Sequence, residues 1–223
     1  MAALAQRLAA AGVPVFRYDR RGVGDSTGEN GGFEASADDL AAAATTFRHE
    51  TSVTRVVAFG NCDAAAALAL FHGEAGIDAL VLANPWTIEE SDSLPPASAI
   101  RARYLSRLKD PRSLWRLVTG GVDLGKLLNG LRKVSAKPSQ TDSSLAQRIA
   151  QSLGDFEGPV TALIARGDNT ALAFVEAWQT PAFAALRSRA TMIERDTASH
   201  SFAPATDKDW LFEQLLAAVH SAA

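Results

Sequence analysis

Short apolar segments alternate with helical segments along most of this chain, and that alternation limits the folds it can adopt. Val53–Phe59 has a strand pattern, Asp63–Phe71 is alanine-rich and helical, and Ala79–Ala83 is again a short buried strand. The pattern returns later, where Pro159–Ala165 is predicted as a strand and Ala171–Leu186 as a helix. Strands that are separated by helices usually pair in parallel. We therefore expect an α/β fold with a mostly parallel sheet and helices on both faces.

The remaining patterns extend this organisation and interrupt it once. Further helices are predicted over Met1–Ala11, Ser36–Phe47 and Asp209–Val219, the second of them opened by a capping box between Ser36 and Asp39. Further strands are predicted over Val13–Tyr18 and Ala190–Glu194. No strand pattern occurs between Trp86 and Glu157, whereas leucines there follow a helical spacing. We predict a core formed by residues 1–86 and 158–223, and a helical cap or lid formed by residues 87–157.

Composition excludes several classes of protein. A chain of 223 residues that is 47% hydrophobic suits one globular domain, and its net charge of −3 argues against a nucleic-acid binder. Its longest apolar run, Ala64–Phe71, is far shorter than the ~20 residues of a membrane-spanning helix. Cys62 is the single cysteine, which excludes an internal disulfide and a thiolate-rich metal site. We expect a cytoplasmic protein with no metal and no cofactor.

Cys62 lies in a sharp turn between a predicted strand and a predicted helix. Gly60 stands two residues before it and Ala64 two residues after it, which is the pattern of a nucleophile elbow. The start of the helix favours a thiolate, and the Asp63 N–H can point at a developing oxyanion. The alternative is a buried structural cysteine in a tight turn.

An elbow nucleophile needs a histidine base and an acid that orients it, in the chain order nucleophile, acid, histidine. Asp168 follows a predicted strand, and His200 lies in the loop after the last strand. The other three histidines lie within or at the end of predicted helices. Asp196 is a second candidate for the acid, but it is only four residues from His200. The predicted catalytic set is Cys62, Asp168 and His200.

With these residues in place, the chain resembles the α/β-hydrolase superfamily. The segment Tyr18–Ser26, which reads Tyr-Asp-Arg-Arg-Gly-Val-Gly-Asp-Ser, is similar to the superfamily's D-x-R-G-x-G-x-S loop, and Gly60–Ala64 is similar to its elbow. More narrowly, the chain resembles the exosortase-A-associated hydrolases of bacterial exopolysaccharide gene clusters. A cysteine at the elbow also resembles the dienelactone hydrolases, in which a Cys-His-Asp set works on this fold. The resemblance implies an α/β-hydrolase fold with a helical cap.

The chain departs from the family at its N-terminus. Family members begin with further strands and a glycine-rich loop that supplies a second oxyanion N–H, and these features have no counterpart before Met1. In the family's strand order, one of those strands lies between Val13–Tyr18 and Val53–Phe59. We expect either that the natural start lies upstream, so that the N-terminal strands are missing from a truncated gene product, or that the sheet has closed up around an impaired oxyanion hole.

The predicted cap carries its own charge. From Ser98 to Lys137 there are ten Lys and Arg against two Asp, a balance of +8, and the rest of the chain carries −11. Such a cap suits an anionic substrate or peripheral contact with a membrane surface, although a solvated charged face explains the charge equally well. The tentative substrate-binding residues are Arg101, Arg103, Arg107 and Arg112.

Two functions from different classes follow. The first is a hydrolase or acyltransferase that acts on a small ester or thioester through a Cys62 thioester intermediate, with His200 as general base and Asp168 holding its ring. The second is a non-catalytic α/β-hydrolase-fold protein that binds a glycan precursor or a partner of the polysaccharide machinery.

Overall fold

The computed structural model of the chain describes residues 1–88 and 144–222, and every element below belongs to those ranges. The strands are β1 (Val57–Asn61), β2 (Ala79–Ala83), β3 (Val160–Ala165) and β4 (Thr191–Arg195). The helices are α1 (Ala2–Ala10), α2 (Ala37–Thr51), α3 (Asp63–Phe71), α4 (Leu145–Asp155), α5 (Asn169–Trp178), α6 (Ala184–Arg187) and α7 (Ala205–Ala222). Single turns of 3₁₀-helix occur at Phe33–Ala35 and Pro181–Phe183.

The strands form one parallel sheet in the order β1-β2-β3-β4. Alternate residues of β2 point into two separate apolar clusters, because side chains alternate across a strand. Leu80 and Leu82 join the cluster formed with α3, α4 and α5, and Val81 and Ala83 join the cluster that includes Leu8 of α1 and Leu211 of α7. This arrangement confirms the predicted parallel sheet with helices on both faces.

The prediction of a strand over Val13–Tyr18 is wrong. The segment is not helical and pairs with no strand among the described residues. Its apolar side chains stay accessible, with Val15, Phe16 and Tyr18 37%, 41% and 42% exposed. A β-rich sequence becomes a strand only when a neighbouring strand accepts and donates its backbone hydrogen bonds. β2 is the one described strand that pairs with β1, so no described strand offers Val13–Tyr18 a place in the ladder.

Three helix predictions also need correction. The predicted helix Ala171–Leu186 is broken after Trp178, where Pro181 begins a 3₁₀ turn. The last helix is longer than predicted and begins at Ala205. Ser36 does precede α2, but its side chain makes no capping hydrogen bond, and the Asp39 side chain pairs with Arg21.

The predicted cap falls largely outside the described residues, including Arg101, Arg103, Arg107 and Arg112. Its last part is described and forms α4, which begins at a capping box between Ser144 and Gln147. Ile149 and Leu153 of this helix are fully buried in the cluster shared with α3. α4 therefore packs as part of the core beside the elbow helix.

Candidate active site

Cys62 lies at the junction of β1 and α3, with a backbone conformation that side chains rarely adopt. Its φ is 61° and its ψ is −122°. Such a conformation costs about 1–3 kcal/mol and is typical of functional turns. The turn is held to its neighbours because the Cys62 N–H donates to Ala83 O at 3.0 Å and its carbonyl accepts from the Trp86 N–H at 3.2 Å.

Gly60 makes this turn possible. A Cβ at residue 60 would lie 2.6 Å from the Ala64 carbonyl carbon and 2.7 Å from its oxygen. Real Cβ atoms do not approach backbone that closely, so a larger residue would push α3 away from β1. The spacing Gly60, Cys62, Ala64 thus has the steric basis that the elbow pattern implies.

The groups around Cys62 have opposite effects on the pKa of its thiol. Burial raises the pKa of the Cys62 thiol, and the carboxylates of Asp63 and Asp168 raise it further, whereas a hydrogen bond from the Asp63 N–H lowers it. The net shift is upward. The helix start therefore stabilises the thiolate as expected, but burial outweighs it and Cys62 rests as a thiol. A separate base is needed to generate the nucleophile.

The structure brings Asp168 and His200 together. His200 Nδ1 lies 2.9 Å from Asp168 Oδ2, and the same oxygen accepts the Ala171 N–H at 3.0 Å. Asp168 caps α5 at the end of β3, and its side chain is only 12% exposed. A carboxylate acceptor requires the proton on Nδ1, so Nε2 carries the lone pair of a base. The rival acid Asp196 is exposed at the end of β4.

Asn84 links the parts of this site, although the sequence pattern did not single it out. It is fully buried at the end of β2, with a φ of 43°. Its Nδ2 donates to the His200 carbonyl at 2.8 Å and lies 3.4 Å from Asn61 Oδ1, and its Oδ1 accepts the Ala165 N–H at 2.8 Å. One side chain thereby ties the histidine loop to the ends of β1 and β3. A polar residue at the carboxyl end of a buried parallel strand was the available signal.

Arg20 is the second residue that the sequence analysis missed. The guanidinium of this loop residue lies 3.1 Å from Asp63 Oδ2, next to the elbow. Its side chain is 22% exposed, and its Nε is buried without a hydrogen-bond partner among the described residues.

A cleft of about 610 Å³ opens at the amino ends of β2 and β3, lined by Ile77, Asp78 and Gly158 among others. It lies at the end of the sheet opposite Cys62 and His200. Among residues 1–88 and 144–222, no three His, Cys, Asp or Glu side chains are grouped so as to hold a metal ion.

Residues 1–169 match the sequence profile of the family described as serine aminopeptidase, S33. The chain belongs to this family of α/β-hydrolases. This member carries Cys62 at the elbow, whereas the family is named for a serine. No curated protein sequence matches the chain. Within the described part of this S33 family member, no helix is long and apolar enough to cross a membrane.

Solved structures show the same α/β-hydrolase fold at low sequence identity. A lipase-esterase related protein from Clostridium acetobutylicum is 15% identical with a TM-score of 0.51, and 90% of this chain covers 81% of that one. An esterase from Pyrococcus furiosus is 16% identical with a TM-score of 0.56, with coverage of 93% and 70%. The thioesterase domain of the curacin biosynthetic pathway is 15% identical with a TM-score of 0.55, with coverage of 96% and 84%. At these identities the likeness concerns the fold alone.

Proposed function

We propose that this protein cleaves small esters or thioesters through a covalent acyl-Cys62 intermediate. The observation that carries the proposal is the Asp168–His200 pair, joined at 2.9 Å and anchored through Asn84 to the residue that precedes Cys62. The esterase and thioesterase folds among the similar structures support the substrate class.

In the first half of the reaction, His200 Nε2 takes the proton of the Cys62 thiol. The sulfur forms a bond to the carbonyl carbon, and the π electron pair moves to the oxygen, where the Asp63 N–H donates to the oxyanion. The tetrahedral intermediate collapses, the bond to the alcohol or thiol leaving group breaks, and His200 returns its proton to that group. Asp168 stabilises the imidazolium that exists between these two transfers.

The second half repeats these steps with water, or with another acceptor in the case of acyl transfer. His200 takes a proton from water, the hydroxide oxygen bonds to the thioester carbon, and the C–S bond breaks. The carboxylic acid leaves, and the proton on His200 returns to Cys62. Since burial raises the pKa of Cys62, this base-assisted route replaces a permanently ionised thiolate.

Non-catalytic binding is the second candidate. Because burial raises the pKa of Cys62, its thiol is a weak nucleophile unless His200 acts as its base. The two candidates differ in whether Cys62 reactivity depends on His200.

The test combines turnover with trapping of the intermediate. We expect the protein to hydrolyse 4-nitrophenyl butyrate or S-butyryl-N-acetylcysteamine, and mass spectrometry after rapid acid quench to show a butyryl group on Cys62. His200→Ala should lower turnover by about 100-fold or more, because general base catalysis contributes about that much. His49→Ala is the matched control, since His49 is 83% exposed and lies on α2, away from the site.

Equal labelling of Cys62 in the wild type, in His200→Ala and in the denatured chain, with no hydrolysis of either substrate, would refute the enzyme and favour the binding protein.

We also propose the finer assignment to the exosortase-A-associated hydrolases, a cytoplasmic location and a role in exopolysaccharide metabolism. The loop Tyr18–Ser26 and the elbow Gly60–Ala64 support it through their resemblance to that group. Deletion of the gene should change the acyl content of the secreted polysaccharide. If a gene that encodes Cys62→Ala restored the original acyl content, an enzymatic role there would be contradicted.

A further inference from the structure

We propose that Arg20 forms an anion-recognition subsite beside the elbow, which selects esters or thioesters that carry a carboxylate near the scissile acyl group. This inference rests on the proposed function, which it deepens by naming a substrate class.

The loop that carries Arg20 is held closed around the side chain of Asp19. Ser26 Oγ donates to the Asp19 carbonyl at 2.6 Å, and the Asp25 N–H donates to its carboxylate at 3.3 Å. A Cβ at residue 24 would lie 2.2 Å from that carboxylate, and Gly24 has a φ of 58°. These contacts keep Arg20 at a defined place next to α3.

The Arg20 guanidinium has a hydrogen-bond donor that binds no partner among the described residues. Its ion pair with Asp63 employs one terminal nitrogen, and that carboxylate is shared, because Asp63 Oδ1 also accepts the Ala64 N–H at 2.8 Å. Arg20 Nε is buried without a hydrogen-bond partner among residues 1–88 and 144–222. A guanidinium presents five donors in one plane, and the ion pair with Asp63 uses one terminal nitrogen. Because Nε is buried, a second carboxylate would bind Arg20 through the terminal nitrogens of its partly exposed side chain.

The neighbouring Arg21 shows the contrasting case. Its guanidinium lies 2.6 Å from Asp39 and 3.6 Å from Asp38, at the start of α2, and its side chain is 54% exposed. The two arginines are adjacent in sequence, yet only Arg20 reaches the residue that follows Cys62. Arg21 is therefore a matched control for removing one positive charge from the same loop.

An anionic substrate would need a positive charge beside the elbow to offset the carboxylate of Asp63. The Asp63 carboxylate raises the pKa of Cys62 and would repel a negatively charged acyl group. Arg20 offsets that charge at 3.1 Å. Without Arg20, the entrance to the elbow would be negative.

The test uses the single cysteine as a reporter that needs no turnover. Iodoacetate and iodoacetamide alkylate the same sulfur, but only iodoacetate is negatively charged. The ratio of the iodoacetate rate to the iodoacetamide rate therefore reports the electrostatic potential at Cys62. We expect this ratio to be higher for native protein than for the denatured chain, and to fall about threefold to tenfold in Arg20→Gln. Arg20→Lys should keep most of it, Arg21→Gln should leave it unchanged, and Asp63→Asn should raise it.

The second arm compares 4-nitrophenyl hemiglutarate with neutral 4-nitrophenyl valerate. The preference for the hemiglutarate in kcat/KM should fall in Arg20→Gln and persist in Arg21→Gln. An alkylation ratio that is equal in wild type and Arg20→Gln would overturn the subsite, whether or not either ester is hydrolysed. If Arg20→Gln fails to fold, an unchanged ratio in Asp63→Asn overturns it. If both esters are inert while the ratios behave as expected, the subsite stands and the hydrolase proposal fails.

Discussion

At the residue scale, the site depends on a few side chains whose contacts cross the whole sheet. Asn84 is the clearest case, because both ends of its amide are used and its backbone has a φ of 43°. Glycine accepts such a φ without strain, so Asn84→Gly removes the hydrogen bonds and leaves the backbone conformation accessible.

We expect Asn84→Gly to lower kcat about tenfold or more while KM stays nearly constant, because the histidine loop loses its anchor to the end of β1 and small displacements of a base are costly. Stability should fall by about 1–3 kcal/mol, since the Ala165 N–H loses its buried acceptor. Assays well below the melting temperature of the variant, where the protein is folded, separate the fall in kcat from the fall in stability. Asn30→Gly, at an exposed loop position, is the control. A loss of stability with unchanged kcat would show that Asn84 is structural only.

At the scale of elements, α3 links the elbow at its start to a buried histidine at its end. His72 is 5% exposed, its Nδ1 donates to the carbonyls of Leu68 and Ala69, and its ring meets Phe156, just after α4, at 4.6 Å between centroids. Burial lowers the pKa of His72, although the two backbone hydrogen bonds raise it. The packing of α3 on α4 is therefore sensitive to protonation of His72.

The sign of the pH effect follows from this shift. A lowered pKa in the folded state means that the unfolded chain binds the proton more readily, so the stability from neutral His72 is fully present above the unfolded pKa of about 6.5 and is lost as pH falls below it. We expect the melting temperature to fall more between pH 7.5 and 5.5 in the wild type than in His72→Gln. His49→Gln, at an exposed site, should keep the wild-type slope. Parallel slopes in wild type and His72→Gln would exclude this role.

At the scale of the whole molecule, charge is unevenly distributed along the chain. The segment Ser98–Lys137 has a balance of +8, against −11 in the remainder. The described core places several acidic groups beside arginines, as at Asp63 and Asp207, but the basic segment lies outside the described residues. Its role therefore follows from sequence charge alone.

We expect Arg103→Glu with Arg107→Glu to weaken binding to anionic vesicles or anionic acyl thioesters, and added salt to weaken wild-type binding in the same way. The matched control is Arg55→Glu with Lys208→Glu, which makes the same change in net charge at exposed positions of the core. Equal loss of binding in both double variants would show that net charge, and not the basic segment, determines binding. Binding that does not change with salt concentration would rule out an electrostatic role for the segment.

Much of the fold was predictable because its signals are local. The elbow pattern Gly60, Cys62, Ala64 encodes a steric requirement between residues close in sequence, and the buried strand Ala79–Ala83 is apolar on both faces. The proposed site residues Cys62, Asp168 and His200 each follow a strand whose carboxyl end meets the same edge of a parallel sheet, so their common placement could be predicted from the strand pattern.

Other features depended on contacts between distant parts of the chain. Val13–Tyr18 has strand propensity but no ladder partner among the described residues, so it does not enter the sheet. Asn84 bridges β1, β3 and the loop of His200, which is 116 residues away, and Arg20 reaches Asp63 across the start of α3. Sequence alone determined the parallel α/β arrangement and the strand ends that carry the proposed site residues, because propensity and steric pattern are local. Only the tertiary structure decided which buried polar groups meet, because hydrogen bonds and ion pairs are set by distance in space.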